Sequence, residues 1–188
     1  MITNMSRQLY NPPSRFILNQ RQLCDLEMLL DGGFSPLTGF LCEDDYRSVV
    51  EHCKLRNGKV WPIPISLAIP TSMFDLTDNV TMMKDINTCI ELVSEYDQTN
   101  VIAKIHVRDI YRPDLEWESL CTLGTIDRNH PYAEYLLSNT DVYYVGGDVE
   151  KVNGVEHYDF HEYRLSPDQL KARIKVKGWD RILGFKHV

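Results

Sequence analysis

His157 and His161 stand four residues apart, the spacing at which two imidazoles on one helix face could share a zinc ion. The segment carrying them, from Glu156 to Arg164, has no helix start signal and offers no third ligand, so spacing alone makes no metal site. His130 directly precedes Pro131, a position that suits a turn or cap residue better than a catalytic base. The pairs Gly32-Gly33 and Gly146-Gly147 do not have the form of phosphate cradles, which open a helix and present its N-terminal amides. The first pair is expected to close a helix and the second a strand, and neither precedes Lys-Ser or Lys-Thr. Gly33-Phe34-Ser35-Pro36-Leu37 lacks the second glycine of a nucleophile elbow. Asp44-Asp45 opens an expected helix and reads as solvated. Cys24, Cys42, Cys53, Cys89 and Cys121 are widely spaced, without a CxxC, and form neither a zinc pattern nor a disulfide framework. Reduced, partly buried thiols are the simplest reading. No catalytic, cofactor-binding or metal-binding residue is assigned.

The elements that would position these residues follow from local pattern. Asn19 and Gln22 are spaced as a capping box, and Leu23, Leu26 and Leu30 recur at helical spacing before Asp31-Gly32-Gly33 stops the helix. The following Phe34 to Leu41 carries two aromatics and no charge, so it is expected to pack rather than to be solvated. A short helix is expected over 44–52, using Tyr46, Val49 and Val50, and Asn57-Gly58 marks a tight turn. Val60 to Ile69 alternates apolar residues with Pro62, Pro64 and Ser66, the pattern of an edge or bulged strand. Strands are expected over 88–93 and 101–110, the second with Val101, Ala103, Ile105 and Val107 on one face and Lys104, His106 and Arg108 on the other. Pro131 opens a short helix to Leu137, and Val142 to Val145 is a strand halted by Gly146-Gly147. Ser166-Pro167-Asp168-Gln169 starts a helix that gathers positive charge up to Lys177 and stops at Gly178. Ile182-Leu183-Gly184-Phe185 then reads as a buried strand.

Short strands with small helices between them predict an α+β, mainly β fold: a partly open β-barrel with helical insertions over residues 1–165. The first 15 residues are expected to form a loosely held arm. Residues 166–188 read as a helix-strand stub, the entry into a doubly wound nucleotide-binding domain. The 188 residues, 43% hydrophobic and 25% charged, suit an ordinary globular chain with a sizeable core. No apolar run approaches the ~20 residues of a membrane helix, and the N-terminus has no hydrophobic signal core, so a cytoplasmic location is expected. A net charge of −7 argues against broad nucleic-acid binding. That charge is uneven: from Lys171 onward six basic residues face one acid, while the remainder holds 14 bases against 26 acids. The basic tail is either a solvated helix face at a domain boundary or a contact for an acidic partner, such as a second copy of this chain.

Several motifs in order carry a resemblance. Arg21-Gln22-Leu23-Cys24-Asp25-Leu26-Glu27 with Gly32-Gly33-Phe34-Ser35-Pro36-Leu37-Thr38-Gly39-Phe40-Leu41 resembles the N-terminal signature of the ATP sulfurylases, the sulfate adenylyltransferases. Trp61-Pro62-Ile63-Pro64-Ile65, Gly124-Thr125 with Asp127 and His130-Pro131, Tyr143-Tyr144-Val145-Gly146-Gly147, His157-Tyr158-Asp159, Ser166-Pro167 with Gln169-Leu170, and Gly178-Trp179-Asp180-Arg181 follow in the family's order, together spanning residues 16–185. The Pro-His-Gly-Gly motif usual near the family's start is absent.

The resemblance implies a PUA-like N-terminal domain of an enzyme that converts ATP and sulfate into adenosine 5′-phosphosulfate and pyrophosphate in sulfate assimilation, with Mg²⁺ accompanying the nucleotide. In that family the strand at 182–185 leads into a Gln-Thr-Arg-Asn-Pro loop and a His-x-x-His pair that handle phosphate and sulfate. Here Phe185 is followed by Lys186-His187-Val188. The chain is therefore expected to be a scaffold domain truncated before the catalytic motif, inactive as a nucleotidyltransferase by itself and holding no cofactor. Its expected partners are a catalytic sulfurylase domain or a second copy, through the apolar residues Trp179, Ile182, Leu183 and Phe185. A free-standing PUA-like module for RNA or protein, and a regulatory subunit of a separate sulfurylase chain, are the alternatives.

Overall fold

Alternation of buried and exposed side chains along one central hairpin organises the molecule, a computed structural model that describes residues 13–74 and 82–184, the side chains of 82–87 excepted. The hairpin pairs β4 (Met82–Ser94) with β5 (Val101–Tyr111). Ala103, Ile105 and Val107 of β5 are buried while His106 and Arg108 are exposed, as the period of two predicts. The other strands are β1 (Arg15–Leu18), β2 (Gly39–Phe40), β3 (Leu67–Pro70) and β6 (Val142–Lys151). The six form one sheet in the order β1-β4-β5-β6-β2, with β3 also on β6; β1 runs parallel to β4 and the other pairs are antiparallel. The sheet is open, with no ladder joining β1 to β2 or β3 among the described residues.

Among the described residues five α-helices accompany it: α1 (Gln20–Leu30), α2 (Glu43–His52), α3 (Leu115–Leu123), α4 (Pro131–Ser138) and α5 (Pro167–Lys177). Asn19 and Gln22 form the expected capping box, and Gly32 follows α1 with φ of +76°. The apolar face of α1, Leu23, Leu26 and Leu29, joins Leu18, Leu67, Ile69, Ile90, Leu92 and Ile105 in one core on one face of the sheet. A second core lies on the other face, where Tyr46, Val49 and Val50 of α2 meet Tyr111, Leu115, Leu136, Leu137 and Tyr144. Neighbouring residues of β6 serve both: Tyr143 and Val145 enter the first core, Val142 and Tyr144 the second. A strand covered on both faces reads as a continuous apolar run, which is what Val142 to Val145 is.

The structure corrects several expectations. Helices hold more of the described chain than strands do, so the fold is mixed rather than mainly β. Where a partly open barrel was expected, the described strands form one open sheet whose outer strands no described ladder joins. Between Val60 and Ile69 only 67–70 form a strand; Pro62 and Pro64 deny the earlier part a ladder, and Pro70 sits on β3, which pairs with β6 alone. Gly146-Gly147 does not halt β6, which continues to Lys151 because the glycines let neighbouring backbone come close. A Cβ at Gly147 would lie 2.0 Å from the His106 carbonyl oxygen, and one at Gly39 would lie 2.0 Å from the Gly147 carbonyl oxygen. Of the expected N-terminal arm, residues 1–12 lie outside those described and Arg15 already begins β1. The helix at Ser166 forms with its full capping box and a Gly178 stop at φ of +64°, yet it buries no residue. The strand expected at 182–185 does not form over 182–184, where no partner strand offers a ladder and Ile182 and Leu183 are exposed; Phe185 lies outside the described residues.

Candidate functional site

α1, α3 and α4 converge with the start of β6 around a cavity of about 420 Å³, within the range of small-ligand pockets. Arg21 and Asp25, one helical turn apart on α1, line it beside the buried face of that helix. α4 is positioned by its start: Pro131 occupies the first turn and His130 Nδ1 accepts the Ala133 amide at 3.4 Å. That placement aims Tyr132 and Tyr135 toward Arg21. The two rings stack with centroids 6.1 Å apart, and the guanidinium carbon lies 4.5 and 4.6 Å from their centroids. The rings hold the cation over their π-faces and fix its direction. Burial raises the Asp25 carboxyl above its ordinary range, with Arg21 opposing the shift.

Glu118 supplies the deepest charge-bearing group. Asp114 caps α3 by accepting the Trp117 amide at 3.0 Å, and the helix then carries Glu118 inward to 2% exposure. The hydroxyls of Tyr46 and Tyr144 donate to its Oε2 at 2.9 and 3.1 Å, so Oε1 receives neither bond. Burial pushes its pKa from 4.5 up to about 7, against the pull of the two hydroxyls, which favour the ionised form. A carboxyl balanced near neutrality can donate a hydrogen bond or accept one. The same burial, reinforced by Glu118, raises Tyr46 and Tyr144 far above the ordinary phenol range. Among the described residues, the cavity lining includes no histidine, cysteine or lysine. Its chemistry is that of binding: one oriented cation, one near-neutral acid, and aromatic and aliphatic walls.

The motifs read from the sequence meet here or just beside it. Arg21, Gln22 and Asp25 come from the first signature, Ile63, Pro64 and Ile65 from the Trp61 motif and Tyr144 from the Tyr143 motif, while Tyr132 directly follows the His130-Pro131 motif. The rest of the first signature joins the sheet. Thr38 Oγ1 donates to Asp148 at 2.6 Å and the Val149 amide donates to the Thr38 carbonyl at 3.0 Å; just beyond the signature, the Glu43 amide donates to Asp109 at 2.9 Å. Phe34 packs edge-on against Trp61 with centroids 5.9 Å apart, in keeping with the apolar loop the sequence suggested.

The individually weighed residues fall elsewhere. His157 and His161 lie in a non-helical segment, and His157 Nε2 pairs with Glu27 Oε1 on α1. Asp44 and Asp45 are not merely solvated: Asp44 pairs with the Arg56 guanidinium at 2.7 Å, and Asp45 accepts the Arg56 amide at 2.8 Å. Gly32-Gly33 closes α1. Four of the five cysteines are exposed rather than partly buried; Cys42 is half-buried, and burial together with Asp109 pushes its thiol up to about 12. Among the described residues no group of three or more His, Cys, Asp or Glu could hold a metal ion, and no step through Mg²⁺ is assigned to this chain. No described helix is long and apolar enough to cross a membrane. Sequence reasoning missed α3 and Glu118; the available signal was Asp114 as a cap and Gly124 as a stop, bracketing the nine residues Leu115–Leu123.

Comparison with known proteins places these features. Residues 5–154 match the family model of a PUA-like domain. The chain is 38% identical over 172 residues to a sulfate adenylyltransferase of Schizosaccharomyces pombe, covering 92% of this chain and 34% of the relative. It is 38% identical over 169 residues to one of Gibberella zeae, covering 90% and 28%. The chain thus spans about a third of the length of these curated relatives. A solved structure of a hexameric APS kinase from Thiobacillus denitrificans shares the fold with a TM-score of 0.62 at 24% identity, over 91% of this chain and 27% of that one.

Proposed function

The chain belongs to the family of PUA-like domains, and from that premise we propose that it is the N-terminal scaffold domain of a sulfate adenylyltransferase. The whole enzyme would join ATP and sulfate to give adenosine 5′-phosphosulfate and pyrophosphate. The observation that carries this reading is 38% identity over nine-tenths of the chain to enzymes of that name, with only about a third of their length represented. Residues 1–165 form the scaffold. Residues 166–188 begin the catalytic domain, with α5 and the segment after it taking their place against the remainder of that domain.

The surface supports such a neighbour. Trp179, Ile182 and Leu183 are 55%, 60% and 79% exposed, and α5 buries none of its residues. Apolar side chains in that state favour being covered. A catalytic domain or a second copy would cover them, and the greater length of the relatives supports the first. The setting is then a sulfate-assimilating cytoplasm.

The chain alone contributes no nucleotide or sulfate chemistry. Supplied with ATP, Mg²⁺ and sulfate, it is expected to release no more pyrophosphate than a control without sulfate. Sulfate-dependent release by the pure chain would overturn this. A chimera carrying residues 1–185 in place of the corresponding region of the Schizosaccharomyces pombe enzyme is expected to retain activity, whereas a folded but inactive chimera would count against the scaffold role.

A further inference from the structure

Helices cover only part of the second face of the sheet, and the open part carries a line of three side chains that the scaffold role leaves unexplained. Cys89 on β4 and His106 on β5 are direct cross-strand partners, and Cys89 Sγ lies 3.1 Å from His106 Nδ1. The other ring nitrogen, Nε2, lies 2.7 Å from Glu150 Oε2 on β6. Three adjacent strands thus contribute one residue each. A carboxylate only accepts, so Nε2 carries the ring proton and Nδ1 turns its lone pair to the thiol. That is the tautomer a general base needs, held in place by a third group.

All three side chains are reachable from solvent: Cys89 is exposed, and the His106 and Glu150 side chains are 49% and 64% exposed. No other cysteine is hydrogen-bonded to a histidine among the described residues. Cys24 meets only the Gln20 amide at 3.8 Å, and Cys42 is withdrawn beside Asp109. The neighbouring cations are already matched, Arg108 by Asp148 and Lys104 by Glu91 at 3.9 Å. The three side chains are half-exposed or exposed, and none of them lines the described cavity between α1, α3 and α4. An accessible thiol with its own base fits a reaction whose second partner is small and brings its own leaving group.

We propose that Cys89 is a covalent modification site that exchanges with small disulfides, with His106 as its base and Glu150 as the residue that positions that base. His106 Nδ1 takes the thiol proton and the Cys89 sulfur attacks one sulfur of the small disulfide. The old S–S bond breaks as the new one forms, and the departing thiolate takes the proton back from His106. One disulfide is exchanged for another, and no further oxidant is required.

The test is site-resolved kinetics. The reduced chain is mixed with oxidised glutathione, quenched in acid at intervals, and adducts at all five cysteines are measured by peptide mass spectrometry. Cys89 is expected to react about tenfold faster than the exposed Cys24, Cys53 and Cys121. H106N should bring Cys89 down to their rate while leaving theirs unchanged. E150Q keeps an oxygen that can accept the Nε2 proton, so a purely structural Glu150 would leave the rate untouched; a several-fold loss is expected instead. Cys89 reacting no faster than the other exposed thiols overturns the proposal, as does a rate unaffected by H106N. Should H106N fail to fold, an unchanged rate in E150Q overturns it equally.

Discussion

Replacing Glu118 with glutamine should stabilise the protein at alkaline pH and do progressively less as the pH falls. The carboxyl is 2% exposed, and burial raises its pKa from 4.5 to about 7. Between those values the folded chain holds a proton that the unfolded chain has released. Unfolded chains then bind fewer protons than folded ones, and stability declines as pH rises. The wild type is therefore free of this penalty below pH 4.5, loses stability progressively above it, and carries the full penalty above pH 7. At roughly 1.4 kcal/mol per pH unit of displacement, the full effect is about 3 kcal/mol. Glutamine cannot ionise, and its side-chain oxygen can still accept from Tyr46 and Tyr144. Its NH₂ adds a donor with a fixed cost of about 1 kcal/mol, which shifts the whole variant curve without changing its slope. The decisive quantity is thus the difference between the two proteins as a function of pH. Urea unfolding followed by tryptophan fluorescence from pH 5 to 8.5 measures it, since Trp117 packs against Tyr46 with ring centroids 6.3 Å apart. Parallel curves, or a wild type that gains on E118Q as pH rises, would refute the assignment of a raised pKa.

Two other substitutions test the frame around the cavity. Leu26 is fully buried between α1 and the sheet, so L26A should cost about 2–5 kcal/mol in urea unfolding, and a loss below about 1 kcal/mol would show that the first core can collapse around it. G147A would set a Cβ 2.0 Å from the His106 carbonyl oxygen; the β5–β6 ladder must yield, and a loss of about 3 kcal/mol or more is expected, read as a lowered urea midpoint or loss of soluble protein, with an unchanged midpoint contradicting the close approach.

What the sequence revealed and what it hid divide along a physical line. α1 and α5 were legible because both ends of each are marked locally, by a capping box and by a glycine in the left-handed conformation. β5 was legible because one face is buried and the other wet along most of its length. The continuation of β6 through Gly146-Gly147 was hidden. Those glycines are required by backbone that arrives from Leu41, Cys42 and His106, all remote in sequence. α3 was hidden because its apolar residues form no clear stripe and its most buried acidic residue looks like a surface residue until Tyr46 and Tyr144 are brought over it. The apparent strand at 182–184 shows the converse: β-forming residues make no strand without a neighbour to complete the ladder.

The residues that carry the family resemblance do two different jobs. Gly39, Thr38, Gly146 and Gly147 are accounted for by folding alone, because each sits where β2 and the chain before α2 press onto β5 and β6. Arg21 of the first signature is not needed for that junction, nor are Tyr132, Tyr135 and Glu118 beside it, which lie outside the quoted motifs; the raised pKa of Glu118 is expected to work against stability at neutral pH. A buried acid whose neutral isostere would make the protein more stable is a poor structural choice; proteins keep such groups where something other than folding uses them. The cavity is lined by that acid and by a cation set over two aromatic rings, on elements begun by helix caps. The signature thus runs from the sheet junction at one end to the lining of this cavity at the other.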